Sequence, residues 1–148
     1  MTESDLDEVL AIEQASFGRP WTREHFLHEI GAPHSYPFVA ESDGCVLGYV
    51  CLTALFEDAQ ILDIAVSPDQ RGQGLALALM AFASGVAIEK KAEVLALEVR
   101  STNTAAITLY ERLDFVRVGC RAKYYEGQDD AVLMEKYLQG ETSCSLHP

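Results

Sequence analysis

Between residues 59 and 100 the chain places two apolar runs on either side of one long helical pattern, and that order decides the sheet. AQILDIAV (59–66) has a strand's composition and is closed by Ser67-Pro68-Asp69, where Pro68 has no N–H with which to continue a ladder. The segment from Gln73 to about Lys91 contains LALALMAFASGVAIEKK, rich in Ala and Leu and ending in charge, which predicts the main helix. VLALEVR (94–100) then reads as a second buried strand. Strand, helix and strand in this order make a right-handed crossover, so the two strands are expected parallel and adjacent.

Other elements attach to this unit. Ser4 or Asp5 is placed to cap a first helix with Leu6, Val9, Leu10, Ile12 and Phe17 on its apolar side, Glu13 as a charge at its edge, and Gly18 as its stop. After the turn Gly18-Arg19-Pro20-Trp21, Thr22 caps a shorter helix carrying Phe26, Leu27 and Ile30, ended by Gly31 and Pro33. PFVAE, Ser42-Asp43-Gly44 and CVLGYVCLT form a hairpin signal around an Asp-Gly turn, and the 59–66 strand extends it as a meander. Beyond residue 100, Asn103 caps the helix TAAITLYERL, and FVRVGCRAKYY and DAVLMEKYL form a closing antiparallel pair joined at Glu126-Gly127-Gln128-Asp129. The expectation is an α+β chain: a single mixed, mainly antiparallel twisted sheet with a central parallel crossover, flanked by helices. With 148 residues there is room for one domain, read as 1–138, followed by a loose polar tail at 139–148.

Composition removes several functions. The net charge of −12 repels phosphate backbones, so nucleic acid is not expected as the main ligand. The same charge suits a basic peptide partner or serves solubility alone. No apolar run reaches the roughly 20 residues that span a bilayer, and the acidic start MTESDLDEVL lacks the basic and apolar stretches of a signal peptide, so a cytoplasmic protein without a membrane partner is expected. Cys45, Cys51, Cys120 and Cys144 form no C-x-x-C pair and read as free thiols. His25-x-x-His28, with His34 beyond, lacks a Cys or carboxylate framework, so no metal is expected.

The chemistry concentrates where LDIAVSPDQRGQGLALAL (62–79) runs from buried strand through a short turn into a helix N-terminus. The first turn of a helix leaves about four N–H donors unpaired and carries partial positive charge, so Gln70 to Ala76 can wrap a phosphate or pyrophosphate. Gly72 and Gly74 either admit that anion or merely shape the turn. The final glycine of a dinucleotide fingerprint is missing, and there is no Gly-Lys-Ser/Thr for a P-loop. Glu98 is a carboxylate in an apolar strand, where burial raises a carboxyl pKa toward a base's working range. Strand alternation gives the other reading: Leu95, Leu97 and Val99 on one face, and Glu98 solvated or paired with Arg100 or Arg117 on the other.

Taken together, Arg71-x-x-Gly74-x-Ala76, LEVR, the N-x-x-A-x-x-L-Y pattern at Asn103–Tyr110 and Lys123-Tyr124-Tyr125 resemble the GNAT superfamily of N-acetyltransferases, and within it the RimI-type enzymes. The resemblance runs from IEQASFGRPWT to KYYEGQDDAVLM, with Ala76 where many members carry Gly. It implies the GNAT fold and acetyl transfer from acetyl-CoA to a protein's α-amino group. The implied acceptor is the N-terminal alanine of a small-subunit ribosomal protein, attacked directly in a ternary complex. It also implies a pyrophosphate on the amides of Arg71, Gly72, Gln73, Gly74, Leu75 and Ala76, and a cofactor strand Ile64-Ala65-Val66 whose Val66 N–H takes the thioester oxygen. A bulge at Val66 would part that strand from VLALEVR and make room for the pantetheine arm. Glu98 becomes the general base, Tyr110 the acid for the departing thiolate, and Asn103 a cofactor contact. Phe17, Arg19, Pro20 and Trp21 on one side, with Tyr124 and Tyr125 on the other, would hold the acceptor. A GNAT acting on a small amine or a lysine side chain, and an acyl-CoA sensor without turnover, are the alternatives.

Overall fold

The structure is a computed structural model that describes residues 1–125 and 129–138, with backbone alone for 123–125. The expected turn at 126–128, the tail at 139–148 with Cys144, and the side chains of Lys123, Tyr124 and Tyr125 therefore lie outside the described residues.

The described elements run α1 (Leu6–Ser16), α2 (Arg23–Gly31), β1 (Ser35–Ser42), β2 (Cys45–Leu55), β3 (Asp58–Val66), α3 (Leu75–Glu89), β4 (Val94–Arg100), α4 (Thr104–Arg112), β5 (Val116–Tyr125) and β6 (Asp129–Tyr137). They form one open six-stranded sheet in the order β1-β2-β3-β4-β6-β5. All neighbours are antiparallel except β3 and β4, the parallel pair that the crossover requires. This is the expected α+β architecture, with β6 inserted between β4 and β5 so that the last hairpin returns against the crossover strand.

Local chemistry accounts for the boundaries. Asp43 (φ 53°) and Gly44 (φ 80°) both take positive φ between paired Ser42 and Cys45, as a tight hairpin turn matching strand twist demands. Thr22 Oγ1 accepts from His25 N at 3.2 Å, and Asn103 Oδ1 accepts from Ala106 N at 3.2 Å, so both expected caps form. At the start neither Ser4 nor Asp5 caps α1 by its side chain. A 3-10 turn at Glu3–Asp5 leads in, and the Asp5 carboxylate accepts from Thr2 N at 2.7 Å. The main helix begins at Leu75 rather than Gln73, because Gly74 before it is left-handed at φ 83°.

The sheet separates two apolar layers. On one face α3 and α4 cover Val50, Leu52, Leu95, Leu97, Val99 and Met134. On the other, α1 and α2 bring Leu6, Val9, Ile12 and Phe26 against Tyr49 and Cys51. Glu13, expected at the edge of α1, lies inside this second layer with 1% of its surface exposed. Helical spacing put it one residue past Ile12, and the polar partners that draw it inward are far away in sequence.

β3 and β4 pair only at Asp58–Val94, Ala59–Leu95 and Gln60–Ala96. Beyond these, β3 stays with β2 as far as Val66, while β4 stays with β6 as far as Arg100, so the middle of the sheet splits. The expected bulge is there but displaced: Cys51 pairs with Asp63 and Leu52 with Ile61, which leaves Leu62 as the extra residue, at the root of the split rather than at Val66. Gly48 tightens the far end of the same strand. A Cβ on it would sit 2.9 Å from Ala65 O and 3.3 Å from Val66 Cα, so β2 presses directly on the last turn of backbone before the loop. Gly48→Ala is expected to cost about 1–3 kcal/mol in urea unfolding as β3 is pushed aside; a midpoint equal to the parent's would contradict that contact.

Candidate functional site

The split opens between two strands whose outward partners hold them apart, and the loop from Ser67 to Gly74 lies at its end. Gly72 (φ 78°) and Gly74 (φ 83°) are both left-handed, and added Cβ atoms would meet nothing within 4 Å at either. Their conformation, not crowding, calls for glycine, and the space in front of the α3 N-terminus is open. Gly74 offers α3 no side-chain cap, so the first amides of the helix keep their donors for an anion. The Arg71 side chain turns away from that space: its Nε donates to Val66 O at 3.1 Å and its Nη2 to Ser16 Oγ at 3.0 Å. It ties the loop to the end of β3 and to the C-terminus of α1, a bracing role that the motif alone does not reveal. Ile64, Ala65 and Val66 form the part of β3 that has lost β4.

Glu98 stands on β4 two residues beyond the last pair with β3. Leu97 and Val99 beside it point into the α3/α4 layer, so the pleat turns Glu98 to the α1/α2 face. It is not enclosed: its side chain is 21% exposed, and Arg121 Nη2 lies 3.2 Å from its Oε2. The pleat alternates as expected, but the partner is neither Arg100, which pairs with Asp129 at 2.6 Å, nor Arg117, which pairs with Glu111 at 3.5 Å. The closing hairpin sets this choice by laying β5 beyond β6, so that Arg121 reaches across the strand between. Tyr110 approaches from the other layer; its ring is buried against Phe115, 5.9 Å between centroids, in the core that contains Val99 and Ile107. Asn103 begins the same helix, with its side chain engaged as the cap.

On the α1/α2 face Phe17, Arg19 and Pro20 are exposed and Trp21 is half-buried. Trp21 stacks on His25 at 3.9 Å between ring centroids and 9° between planes. His25 and His28 are exposed, and among the described residues no three His, Cys, Asp or Glu side chains gather as metal ligands. Cys45, Cys51 and Cys120 are free. Among the described residues no helix is long and apolar enough to cross a membrane.

A buried acidic cluster lies beside this wall. Glu13 Oε1 accepts from Tyr49 OH at 2.5 Å, and its Oε2 from Trp21 N at 2.9 Å. Asp63, the residue after the bulge, faces the Glu13 carboxyl, and its own Oδ2 is buried without a hydrogen-bond partner. Burial, then the hydrogen bond and charge of Glu13, push the Asp63 carboxyl up to about 10. Burial likewise pushes the Tyr49 hydroxyl and the Cys51 thiol up, with Asp63 the next cause for each. Asp63 thus keeps its proton at neutral pH. An acid within LDIAV was the available sequence signal, of the same kind as Glu98 in VLALEVR.

Residues 6–115 match the Acetyltransferase (GNAT) family, and the chain belongs to it. Among solved structures it resembles the ribosomal-protein-S18-alanine N-acetyltransferase from Escherichia coli, with TM-score 0.86 and 30% identity over 93% of this chain and 90% of that one. A Bacillus subtilis (strain 168) relative, 39% identical over 136 residues and 90% of each chain, bears the name [ribosomal protein bS18]-alanine N-acetyltransferase provisionally. A Bacillus anthracis acetyltransferase was solved in complex with acetyl coenzyme A; it is 26% identical with TM-score 0.67, over 73% of this chain and 65% of that one. GNAT acetyltransferases use acetyl-CoA, and the open amides and split sheet of this chain suit that co-substrate.

The proton on Asp63 makes stability depend on pH. Unfolding returns the carboxyl to its ordinary range near 4, so the unfolded chain releases a proton that the folded chain keeps, and stability declines as pH rises toward about 10. Asp63→Asn removes that titration while keeping a polar group against Glu13. Its unfolding free energy, measured in urea, is expected to gain on the parent's steadily between about pH 5 and pH 9; a constant difference would contradict the buried proton.

Proposed function

We propose that this acetyltransferase carries the acetyl group of acetyl-CoA to the α-amino group of a protein N-terminus, with the N-terminal alanine of a small-subunit ribosomal protein as acceptor. The observation that carries the reading is the opening between β3 and β4, with Glu98 on its acceptor-side face and open helix amides at its end. The names of the two relatives, which give the alanine of ribosomal protein S18 or bS18 as acceptor, provisionally in the Bacillus subtilis case, support the choice. A basic N-terminal segment also suits a chain with net charge −12.

In this reading the amides of Arg71 to Ala76 bind the pyrophosphate, with Asn103 as a further cofactor contact. Ile64, Ala65 and Val66 line the pantetheine arm, and Val66 N–H polarises the thioester oxygen. An ammonium has no lone pair, so Glu98 first takes its proton, directly or through water. The free amine attacks the thioester carbonyl, the new C–N bond forms and the C–S bond breaks. Glu98 has by then passed its first proton to solvent and takes the extra proton from the nitrogen, while Tyr110 gives a proton to the departing sulfur and regains one from solvent. Phe17, Arg19, Pro20 and Trp21 form one wall for the first peptide units, and Tyr124 and Tyr125 the other. The enzyme is expected to work in the cytoplasm, where ribosomal proteins are made.

Mass spectrometry of three peptides with acetyl-CoA tests the acceptor: a basic Ala-Arg start, a Met-Leu start, and an acetyl-capped peptide with an internal lysine. The Ala peptide is expected to gain one acetyl group at its α-amine, and exclusive labelling of the capped lysine peptide would overturn the reading. With the Ala peptide, Glu98→Gln is expected to lower kcat about 100-fold or more, and Tyr110→Phe to lower kcat more than it raises KM. Parental rates in both variants would remove these residues from their roles.

A further inference from the structure

We propose that Glu13 is a positioning residue for the acceptor, whose buried carboxylate holds the Phe17–Trp21 loop against the free wall of β3. The inference rests on the acceptor reading above and adds to it the group that sets the wall in place. Glu13 lies on the last full turn of α1 and is 1% exposed in an otherwise apolar layer. Replacing a buried charge by an apolar side chain of similar size is often neutral or stabilising, so such a residue does not stand there for stability alone. Both of its oxygens are spent on particular partners. Oε2 takes the backbone N–H of Trp21, the residue that ends the loop, across a separation of eight residues; Oε1 takes the hydroxyl of Tyr49 on β2.

The third member fixes where this happens along the sheet. Asp63 follows the Leu62 bulge, on the stretch of β3 that keeps β2 but has lost β4. The carboxyl pair therefore joins the loop to the strand that borders the opening, on the same face as Glu98. Three elements meet at one buried group: α1 with the loop, β2 and β3. Asp63 Oδ2, buried and unpartnered, adds a further cost to the arrangement. Natural chains keep such costs where a site must be held rigid. Arg71 braces the same corner from the cofactor side, reaching from the loop before α3 to Ser16 at the end of α1. The two contacts together fix the exit of α1 relative to both halves of the site.

The chain has a single tryptophan, Trp21, so its fluorescence reports the loop directly and needs no acceptor. Glu13→Leu leaves Trp21 N without its acceptor, and Glu13→Gln keeps an amide oxygen for it. The Leu variant is expected to move Trp21 emission to the red and raise its acrylamide quenching. Peptide KM is expected to rise about tenfold while acetyl-CoA KM stays within about twofold. The Gln variant should recover most of both changes. Where Glu13→Leu alone does not fold, Glu13→Leu with Asp63→Val removes both acids together and serves in its place. A folded variant with parental emission, or with shifted emission and parental peptide KM, overturns the proposal, as does an equal rise in both KM values. If the parent acetylates no α-amine, the acceptor reading fails on that result. Emission then still decides whether Glu13 holds the loop, and the KM comparison is made with whichever amine the parent does modify.

Discussion

The parting of β3 from β4 after Gln60 and Ala96 is the constraint on which the rest of the site depends. An intact parallel pair would use its inward N–H and C=O groups on itself; here Ile61–Val66 and Leu97–Arg100 have no pairing with each other, and the Val66 carbonyl is taken by Arg71 instead. Such a gap would close or fray in an isolated pair of strands. It persists because each strand has a full antiparallel neighbour on its other side, β2 for β3 and β6 for β4. The Leu62 bulge turns β3 at the root of the gap, and Gly48 lets β2 follow it closely at the far end. Late return of the chain to place β6 beside β4 is thus part of the same device as the crossover itself.

Charge is handled locally. A chain of net charge −12 repels an anion at long range, so binding the phosphates of acetyl-CoA falls to contacts at close quarters. In the proposed reading the α3 N-terminus offers such contacts through amides that Gly72 and Gly74 leave unobstructed, with Arg71 spent on bracing the loop. On the opposite face the proposed acceptor is an amine, and three acids stand there. Glu98 is partly exposed and paired with Arg121, while the buried acids Glu13 and Asp63 stand back from solvent, Asp63 in its protonated form. This face thus separates a partly exposed carboxylate from two buried acids.

Much of this was legible because it is local. The Asp43-Gly44 turn, the Thr22 and Asn103 caps, the meander and the crossover each follow from a few adjacent residues, and all are present. The turn through Gly72 and Gly74 into α3 was legible for the same reason, since its glycines and the strand before it are contiguous. Features that escaped are pairings between distant parts of the chain. Glu13 is drawn inward by Tyr49, 36 residues away, and Arg71 reaches Ser16 over a separation of 55. The partner of Glu98 depended on the placement of β5 beyond β6, which composition does not determine. The family resemblance implied a bulge at Val66, but it lies at Leu62, because pairing register depends on both strands at once.

Hydrogen exchange with and without CoA measures the central claim, that the gap and the adjoining helix terminus are where the co-substrate binds. CoA is expected to slow exchange at the amides of residues 71–76 and 64–66, while those of β1, on the far edge of the sheet, keep their rates. Binding of CoA with no added protection at either segment would contradict the account.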